Sequence, residues 1–443
     1  MNVITWFFTY TPLKFFVQSF WRDEAFTYLL SIKSLPEIAN LTVKDFNPPL
    51  YYWFMHLWIS VFGKSEIILR LPSLIFFCGT IYISYLILTE IFKIKWKTAL
   101  ILLMFFIINP SLHYYAFEAR MYSLTVFLVT LSYYALFTKK WPLYSIAIIL
   151  GLYTHYFVVF VLITQFIGSW IIYRKFILIK PYVFRLFFIL SIWTPWIVFL
   201  LANHNTPPQS FWINRPSLDA WLSLPAIIYS GYESDLNLKI SLWSFNLALV
   251  IFIFLNLSKL SRKLQINKND HDNKSITIHL LIWSFLPPLL LLLVSLFYPL
   301  FLPRYFLYCT VGLLLLLIKL SKYSPKWLVV VFVGILFLFT NKYIHQQVTL
   351  RTKVDLRKSI TSIKKISRPN DLFFVNHEFN YHVAQYYFPA NRVFILGKTY
   401  EEIPVYVGKI LIPKNAIATQ IPIYPDRAFL LKENGDYSII SQE

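Results

Sequence analysis

The segment "EIILRLPSLIFFCGTIYISYLILTEI", Glu66 to Ile91, decides the fold class of this chain. Between Arg70 and Glu90 it carries no charged side chain. A helix needs about 20 mostly apolar residues to cross a bilayer, so the segment predicts a transmembrane helix. Apolar runs of the same kind, most of them shorter, recur on both sides of it.

The chain as a whole has the composition of a membrane protein. It has 443 residues, of which 57% are hydrophobic and 14% are charged. A water-soluble protein of this length would expose too much apolar surface, and the alternation typical of membrane β-strands is absent. We therefore predict an all-α polytopic membrane protein with about eleven transmembrane helices. The apolar runs lie near residues 3–20, 66–91, 98–112, 121–138, 142–152, 156–172, 183–201, 240–258, 276–297, 305–320 and 327–342.

Basic residues predict the orientation, because they cluster in every second loop, as they do in cytoplasmic loops. This pattern places the N-terminus inside and the tail outside. It also accounts for the net charge of +20 without nucleic acid, which we do not expect as a partner. We expect run 3–20 to stay as a membrane anchor, because no small-residue processing site follows it. The clustered residues are Lys93, Lys95, Lys97, Lys139, Lys140, Arg174, Lys175, Lys180, Arg185, Lys259, Arg262, Lys263, Lys268, Lys274, Lys319, Lys322 and Lys326.

Two domains are predicted. Residues 1–343 form the membrane domain, in which Pro49 to Phe62 is too short to cross and indicates an interfacial helix of the first outer loop. Residues 344–443 form a small extracytoplasmic α/β domain. Its strand-like runs are Leu372–Val375 and Val393–Leu396, and Asn-Gly in "KENGDYSI" predicts a hairpin.

Most carboxylates before the tail fall on the predicted outer face. They are Asp23, Glu24, Glu37, Asp45, Glu118, Asp219, Glu233 and Asp235. The pair in "WRDEAFTY" has two explanations of similar weight. Asp23 and Glu24 can cap and begin a helix in a solvated loop. Alternatively, one of them is a general base that takes the proton of an acceptor hydroxyl beside the membrane.

Four further outer stretches carry polar candidates, and each also has a plain structural explanation. They are "DFNPPLYYWFMHLW" with Asp45, "HYYAFEARMYSL" with Glu118 and Arg120, "YTHYF" with His155, and "LPRYF" with Arg304. An ion pair explains the second, and a snorkelling arginine explains the last. A lipid-linked phosphate would equally need such a guanidinium, which offers two parallel donors. All five stretches are predicted on one face, which favours a site.

The motifs resemble those of bacterial and archaeal GT-C glycosyltransferases, in the branch of the protein O-mannosyltransferases and lipid A aminoarabinose transferases. The resemblance runs in order from Trp21 to about Phe306, and the outward tail also fits. One departure is Asn47, which stands where relatives often have His before Pro-Pro. The motifs are the adjacent Asp-Glu, Pro-Pro before "LYYWFMHLW", "FGKSEIILRLPS", "EARMYSL", "YTHYF", "FWINRPSL" and "PRYF".

The resemblance implies a sugar donor on polyprenyl phosphate, used at the outer face of the cytoplasmic membrane. Asp23 would be the general base, Glu24 would orient the acceptor or the loop, and Arg304 would hold the donor phosphate. The remaining implied substrate-binding or cavity-lining residues are Tyr305, Glu118, Arg120, His155, Tyr156 and Asp45.

The predicted reaction is an inverting transfer of the sugar to a hydroxyl of a lipid, glycan or protein, with polyprenyl phosphate leaving. We expect no cofactor, and the sequence leaves room for a divalent cation without a ligand cluster for it. A transporter or lipid flippase is the alternative. Two features count against it: the chain has only 10 glycines, and its carboxylates lie at one predicted surface. A polysaccharide polymerase or ligase is a third reading, against which only the order of the motifs argues.

Overall fold

The computed structural model describes residues 3–173, 176–203, 212–233, 236–266 and 271–443. Arg174, Lys175 and Lys268, used above for the orientation, lie outside the described residues. So do Asp235, one of the carboxylates of the predicted outer face, and the first residue of "FWINRPSL". The membrane domain is helical. Its helices are α1 Val3–Tyr10, α2 Lys14–Val17, α3 Arg22–Ser31, α4 Leu35–Thr42, α5 Leu50–Phe62, α6 Glu66–Leu86, α7 Trp96–Ile107, α8 Pro110–Ala116, α9 Tyr122–Phe137, α10 Trp141–Thr154, α11 Val158–Tyr173, α12 Phe176–Asn203, α13 Leu218–Leu222, α14 Leu224–Ser230, α15 Lys239–Ile266, α16 His271–Val294, α17 Tyr308–Ser321 and α18 Lys326–Leu350.

Five helical segments of the described chain are long and apolar enough to cross a membrane. They are Glu66–Ile91, Lys180–Asn203, Lys239–Leu260, Asp272–Val294 and Lys326–Leu350, and shorter apolar helices accompany them at Tyr122–Phe137, Trp141–Thr154, Val158–Ile172 and Tyr308–Ser321. The chain is thus a multi-pass membrane protein, as its composition predicted. The count of about eleven crossings stays a prediction.

Two predicted spans are broken by proline. Run 3–20 consists of α1, with 8 residues, and α2, with 4, separated by a turn that contains Pro12. Proline has no amide hydrogen and disfavours helix in the residue before it. The run near 98–112 continues as α7 and α8, which meet at 74°. Asn109 begins α8, because its side chain accepts hydrogen bonds from the amides of Ser111 and Leu112 and Pro110 follows it.

Basic loops that were predicted to share a face do come together at one end of the bundle. Lys319, near the end of α17, donates a hydrogen bond to Asn273 at the start of α16. Lys322 donates to the carbonyl of Phe92, which follows the π-helical turn that ends α6. The ends of these helices therefore meet there, and the polar candidates of the other loops lie at the opposite helix ends.

The tail forms a small α/β domain. The last long helix, α18, passes the predicted boundary at 343 and ends at Leu350. The domain contains α19 Leu356–Ile366, β1 Leu372–Val375, α20 Tyr381–Tyr387, β2 Val393–Leu396, β3 Ile417–Ala418, β4 Ala428–Leu431 and β5 Tyr437–Ile440. The sheet order is β3-β2-β1-β4-β5, parallel except for the β4–β5 pair. That antiparallel pair is the hairpin predicted at Asn-Gly, with Gly435 at φ 90° in its turn.

Candidate active site

One cavity of about 620 Å³ lies between the C-terminal domain and the helix ends of the membrane domain that are opposite to the basic loops. Seven of the nine predicted site residues line it: Asp23, Asp45, Arg120, His155, Tyr156, Arg304 and Tyr305. Glu24 and Glu118 are not among the lining residues. Stretches far apart in sequence therefore converge on one place, as their predicted common face requires.

Asp23 is held among arginines. It is the second residue of α3, its carboxylate accepts a hydrogen bond from Nε of Arg22 at 2.9 Å, and Arg120 donates to its backbone carbonyl at 3.4 Å. Burial opposes the charge of Asp23. The guanidiniums of Arg22, Arg120 and Arg304 outweigh this effect and hold the pKa of Asp23 well below its usual range. The carboxylate is therefore ionised near neutral pH.

Asp45 has a different environment. It follows the end of α4 and precedes Pro48-Pro49, which come directly before α5, and it is only 7% exposed. No ion pair to it forms within the part of the chain that the structure describes. Burial raises the pKa of Asp45 to about 6, because the attraction of Arg120 and the hydrogen bonds from Phe46 and Asn47 only partly compensate the lost hydration.

Two arginines have donors that nothing in the described protein uses. The Nε atoms of Arg120 and Arg304 are buried and lack a hydrogen-bond partner. Arg304 lies in a 3₁₀ turn, Pro303–Phe306, with its guanidinium 5.4 Å from the ring centroid of Trp212. Buried donors are almost always paired in folded proteins, so an unused guanidinium edge beside a cavity suits an anion.

His155 and Tyr156 form the wall after α10. Burial, and then the charges of Arg120 and Arg304, lower the pKa of His155 to about 3, so the imidazole is neutral. Its Nδ1 accepts a hydrogen bond from the amide of Phe157 at 3.3 Å. Burial raises the pKa of Tyr156 to about 12, and its hydroxyl accepts from Nε1 of Trp196 at 3.2 Å. Both side chains are therefore neutral polar groups near neutral pH.

Glu24 lies behind the cavity and is fully buried. Its two carboxylate oxygens accept from Nε and Nη2 of Arg70, each at 2.7 Å. Further donors are Nζ of Lys353 at 3.3 Å and the amides of Ala119 at 3.1 Å and Trp21 at 3.4 Å. Of the two roles that the resemblance implies for Glu24, these contacts suit ordering of the loop.

Glu118 also lies behind the lining residues and is 3% exposed. Burial raises the pKa of its carboxyl to about 7, although Lys353 partly offsets the effect. Its backbone carbonyl accepts from the hydroxyl of Ser73 on α6 at 2.5 Å. The resemblance implied that Glu118 lines the cavity. In the structure its neighbours Arg120 and Tyr122 line the cavity instead.

Several lining residues were not predicted. Arg22, Tyr122 and Trp212 stand inside motifs quoted above, and the sequence assigned no role to them. Tyr406 comes from the C-terminal domain, and nothing local in the sequence marks it. Within the described residues, no three His, Cys, Asp or Glu side chains group as a metal site requires.

Two solved structures share this architecture. ArnT from Cupriavidus metallidurans in the apo state aligns with a TM-score of 0.59 at 11% identity, covering 97% of this chain and 91% of that one. ArnT from the same organism bound to undecaprenyl phosphate aligns with a TM-score of 0.58 at 12% identity and the same coverages. The chain has the GT-C fold. The fold that the motifs implied is therefore confirmed, whereas no protein-family model and no curated protein matches the sequence.

Proposed function

We propose that this GT-C-fold protein is a membrane glycosyltransferase that moves a sugar from a polyprenyl-phosphate donor to an acceptor hydroxyl of a lipid, glycan or protein. The observation that carries the proposal is the pair of unused donors on Arg120 and Arg304 in a cavity that also holds carboxylates. Guanidinium groups recognise phosphate through parallel hydrogen bonds. One of the structures with the same fold is bound to undecaprenyl phosphate, which supports such a ligand here.

An apolar approach to the arginines supports a lipid-linked donor. The cavity is also lined by Leu200 and Leu201 at the end of α12, and by Tyr298 and Leu300 after α16. Leu201 is 76% exposed and Tyr298 is 65% exposed, although both are large and apolar or aromatic. A polyprenyl chain in the bilayer would cover such side chains while its phosphate reaches Arg304.

In the proposed reaction, the acceptor oxygen forms a bond to the anomeric carbon as the bond from that carbon to the phosphate oxygen breaks. The electron pair leaves with polyprenyl phosphate, and the anomeric configuration inverts. The arginines stabilise the charge that develops on the leaving phosphate. A cavity carboxylate takes the acceptor's proton. The resemblance gives this role to Asp23, with Glu24 supporting the loop.

The test of the phosphate site is binding of undecaprenyl phosphate to the purified full-length protein. Arg304→Lys keeps the charge and loses the planar fork, so affinity should fall, and Arg304→Ala should weaken it about 10- to 100-fold. This range corresponds to the roughly 1.5–3 kcal/mol of a hydrogen bond to a charged group. Arg215→Ala, at an exposed arginine outside the lining, is the control. Wild-type affinity in Arg304→Ala would remove Arg304 from the phosphate role.

A further inference from the structure

The cavity holds two carboxylates whose surroundings differ in charge. Asp23 has an arginine nitrogen at 2.9 Å and three guanidiniums acting on it. Asp45 lines the same cavity, is more deeply buried, and has no ion-pair partner among the described residues. When two titratable groups in one site are placed in opposing environments, their roles in acid–base chemistry differ.

We propose that Asp45, rather than Asp23, accepts the proton of the acceptor hydroxyl, and that Asp23 holds the arginines of the phosphate site in place. This assignment rests on the transfer reaction proposed above. It differs from the role that the resemblance alone gives to Asp23.

Asp23 is poorly suited to take a proton while its arginines surround it. Protonation would remove the negative charge that Arg22, Arg120 and Arg304 share. Each unit by which the pKa of a base is lowered reduces its affinity for a proton about tenfold. The negative charge of Asp23 instead holds the three guanidiniums close together before a phosphate binds.

The groups that face Asp45 leave it able to accept a proton. Arg120 and hydrogen bonds from the amide of Phe46 and the side chain of Asn47 favour the negative form, and Asp23 disfavours it. Asp45 in turn acts on the hydroxyls of Tyr52 from α5 and Tyr156 after α10. With its pKa raised to about 6, the carboxyl is mostly ionised at neutral pH yet binds a proton readily. A general base is most effective when its pKa lies near the working pH.

The proton balance is complete. The acceptor O–H proton passes to a carboxylate oxygen of Asp45, the acceptor oxygen bonds to the anomeric carbon, and the electron pair of the broken bond leaves on the phosphate. Asp45 then releases its proton to solvent through the outer opening of the cavity. No oxidant, reductant or further reactant is required.

The test compares Asp45→Asn, Asp45→Glu and Asp23→Asn in the purified full-length protein. The probes are undecaprenyl-phosphate hexoses and pentoses labelled in the sugar, with solubilised membranes of the encoding organism as the source of acceptor. Asp45→Asn should lower transfer at saturating donor by about 10²–10⁴-fold, the usual contribution of a general base, and leave binding of undecaprenyl phosphate unchanged. Asp45→Glu should keep part of the activity. Asp23→Asn should mainly change the affinity for undecaprenyl phosphate.

The pH dependence separates the two carboxylates. Because the base must be ionised, transfer should rise with pH through about 6 in the unsubstituted protein. In Asp23→Asn the same limb should persist at a lower pH, because Asp23 no longer disfavours the charge of Asp45, and in Asp45→Asn the limb should be lost. Infrared spectroscopy supplies a readout without turnover, since the protonated carboxyl band of Asp45 should disappear over the same range. Glu118→Gln is the background for that measurement, because the pKa of Glu118 is raised to about 7.

The outcomes are distinct. If the rise of transfer with pH were lost in Asp23→Asn and kept in Asp45→Asn, the assignment would be overturned and Asp23 would be the base. Unchanged transfer by Asp45→Asn would also overturn the assignment. An infrared band of Asp45 that persists well above pH 7 would also overturn it. Absence of transfer to any acceptor by the unsubstituted protein would instead overturn the proposed function, and this assignment with it.

Discussion

At the scale of the residue, adjacency in sequence does not mean a shared role. Asp23 and Glu24 occupy consecutive positions of α3, and consecutive helical side chains point about 100° apart. One carboxylate therefore lines the cavity, while the other meets Arg70 from α6 in a fully buried, two-bond ion pair. The structure gives Glu24 contacts to the loop before α9 and to Lys353, so it joins three parts of the chain.

Removing the charge of Glu24 should destabilise the protein strongly. Glu24→Gln leaves Arg70 buried without its counter-ion, which typically costs about 3–5 kcal/mol. Thermal unfolding in detergent measures the effect. The control is Glu37→Gln, because Glu37 pairs with Lys33 at 3.4 Å on the surface, where a pair contributes about 0–1 kcal/mol. Equal melting temperatures for the two variants would show that the buried pair adds nothing.

The same pair predicts a pH dependence of stability. Burial opposes the charge of Glu24, but Arg70 and Lys353 outweigh it and lower the pKa to about 2. Because the folded pKa is depressed below the unfolded value of about 4.3, the stabilisation is complete above that value and is lost as pH falls towards 2. Acid titration of the melting temperature should show this loss in the unsubstituted protein and not in Glu24→Gln.

At the scale of the element, the segment Val405–Gly408 brings the C-terminal domain to the cavity. The ring of Tyr406 in this segment lies 6.0 Å from the guanidinium of Arg22, and Phe379 lies 4.9 Å from it. Gly408 has φ 83° and packs so closely on α3 that an added Cβ would lie 2.5 Å from the ring of Phe26. Glycine at this position therefore lets the domain approach the helix that carries Asp23.

Gly408→Ala should disturb the cavity more than a matched substitution elsewhere. Gly397 has φ 82° and nothing within 4 Å of an added Cβ, so Gly397→Ala carries the same backbone strain without the clash. Overpacking typically costs about 1–3 kcal/mol, and Gly408→Ala should be less stable than Gly397→Ala by that amount. It should also bind undecaprenyl phosphate more weakly. Identical stability and binding in the two variants would contradict the close approach of domain and helix.

At the scale of the whole molecule, the loops form two sets at opposite ends of the helices. One end gathers Lys319, Lys322 and Asn273 near Phe92, and the other holds the cavity and the C-terminal domain. Since basic loops face the cytoplasm, we predict that the cavity opens outside. A donor presented at the outer leaflet would then reach Arg304 without crossing the membrane.

Cysteine labelling tests this orientation in intact cells. The background is Cys78→Ser with Cys309→Ala, since these are the two native cysteines. Cysteines at the exposed positions Ser34 and Asn434 should react with an impermeant thiol reagent, and a cysteine at Lys95 should react only after lysis. The reverse pattern would place the cavity in the cytoplasm and rule out an outer-face reaction.

Much of the fold was predictable from local sequence. The apolar runs marked the long helices, and the strand-like runs at 372–375 and 393–396 coincide with β1 and β2. Asn-Gly marked the β4–β5 hairpin. Hydrophobic length and turn chemistry act within a few neighbouring residues, so one chain segment suffices to show them. Pro12 and Lys14 interrupt run 3–20 in the sequence, and the structure breaks the helix there, since the effect of proline is equally local.

The sequence by itself determined a helical membrane protein with polar motifs gathered on one predicted face and a small α/β tail. Only the tertiary structure decided which of those polar groups share a cavity. It separates Asp23 from Glu24 and places Glu118 behind the lining residues. It also adds Tyr406 to the cavity, from the C-terminal domain, which is far from Asp23 in the chain. The physical reason is that the charge state and reactivity of a side chain depend on burial and on charges within a few ångströms. Those neighbours come from distant segments, and packing alone brings them together.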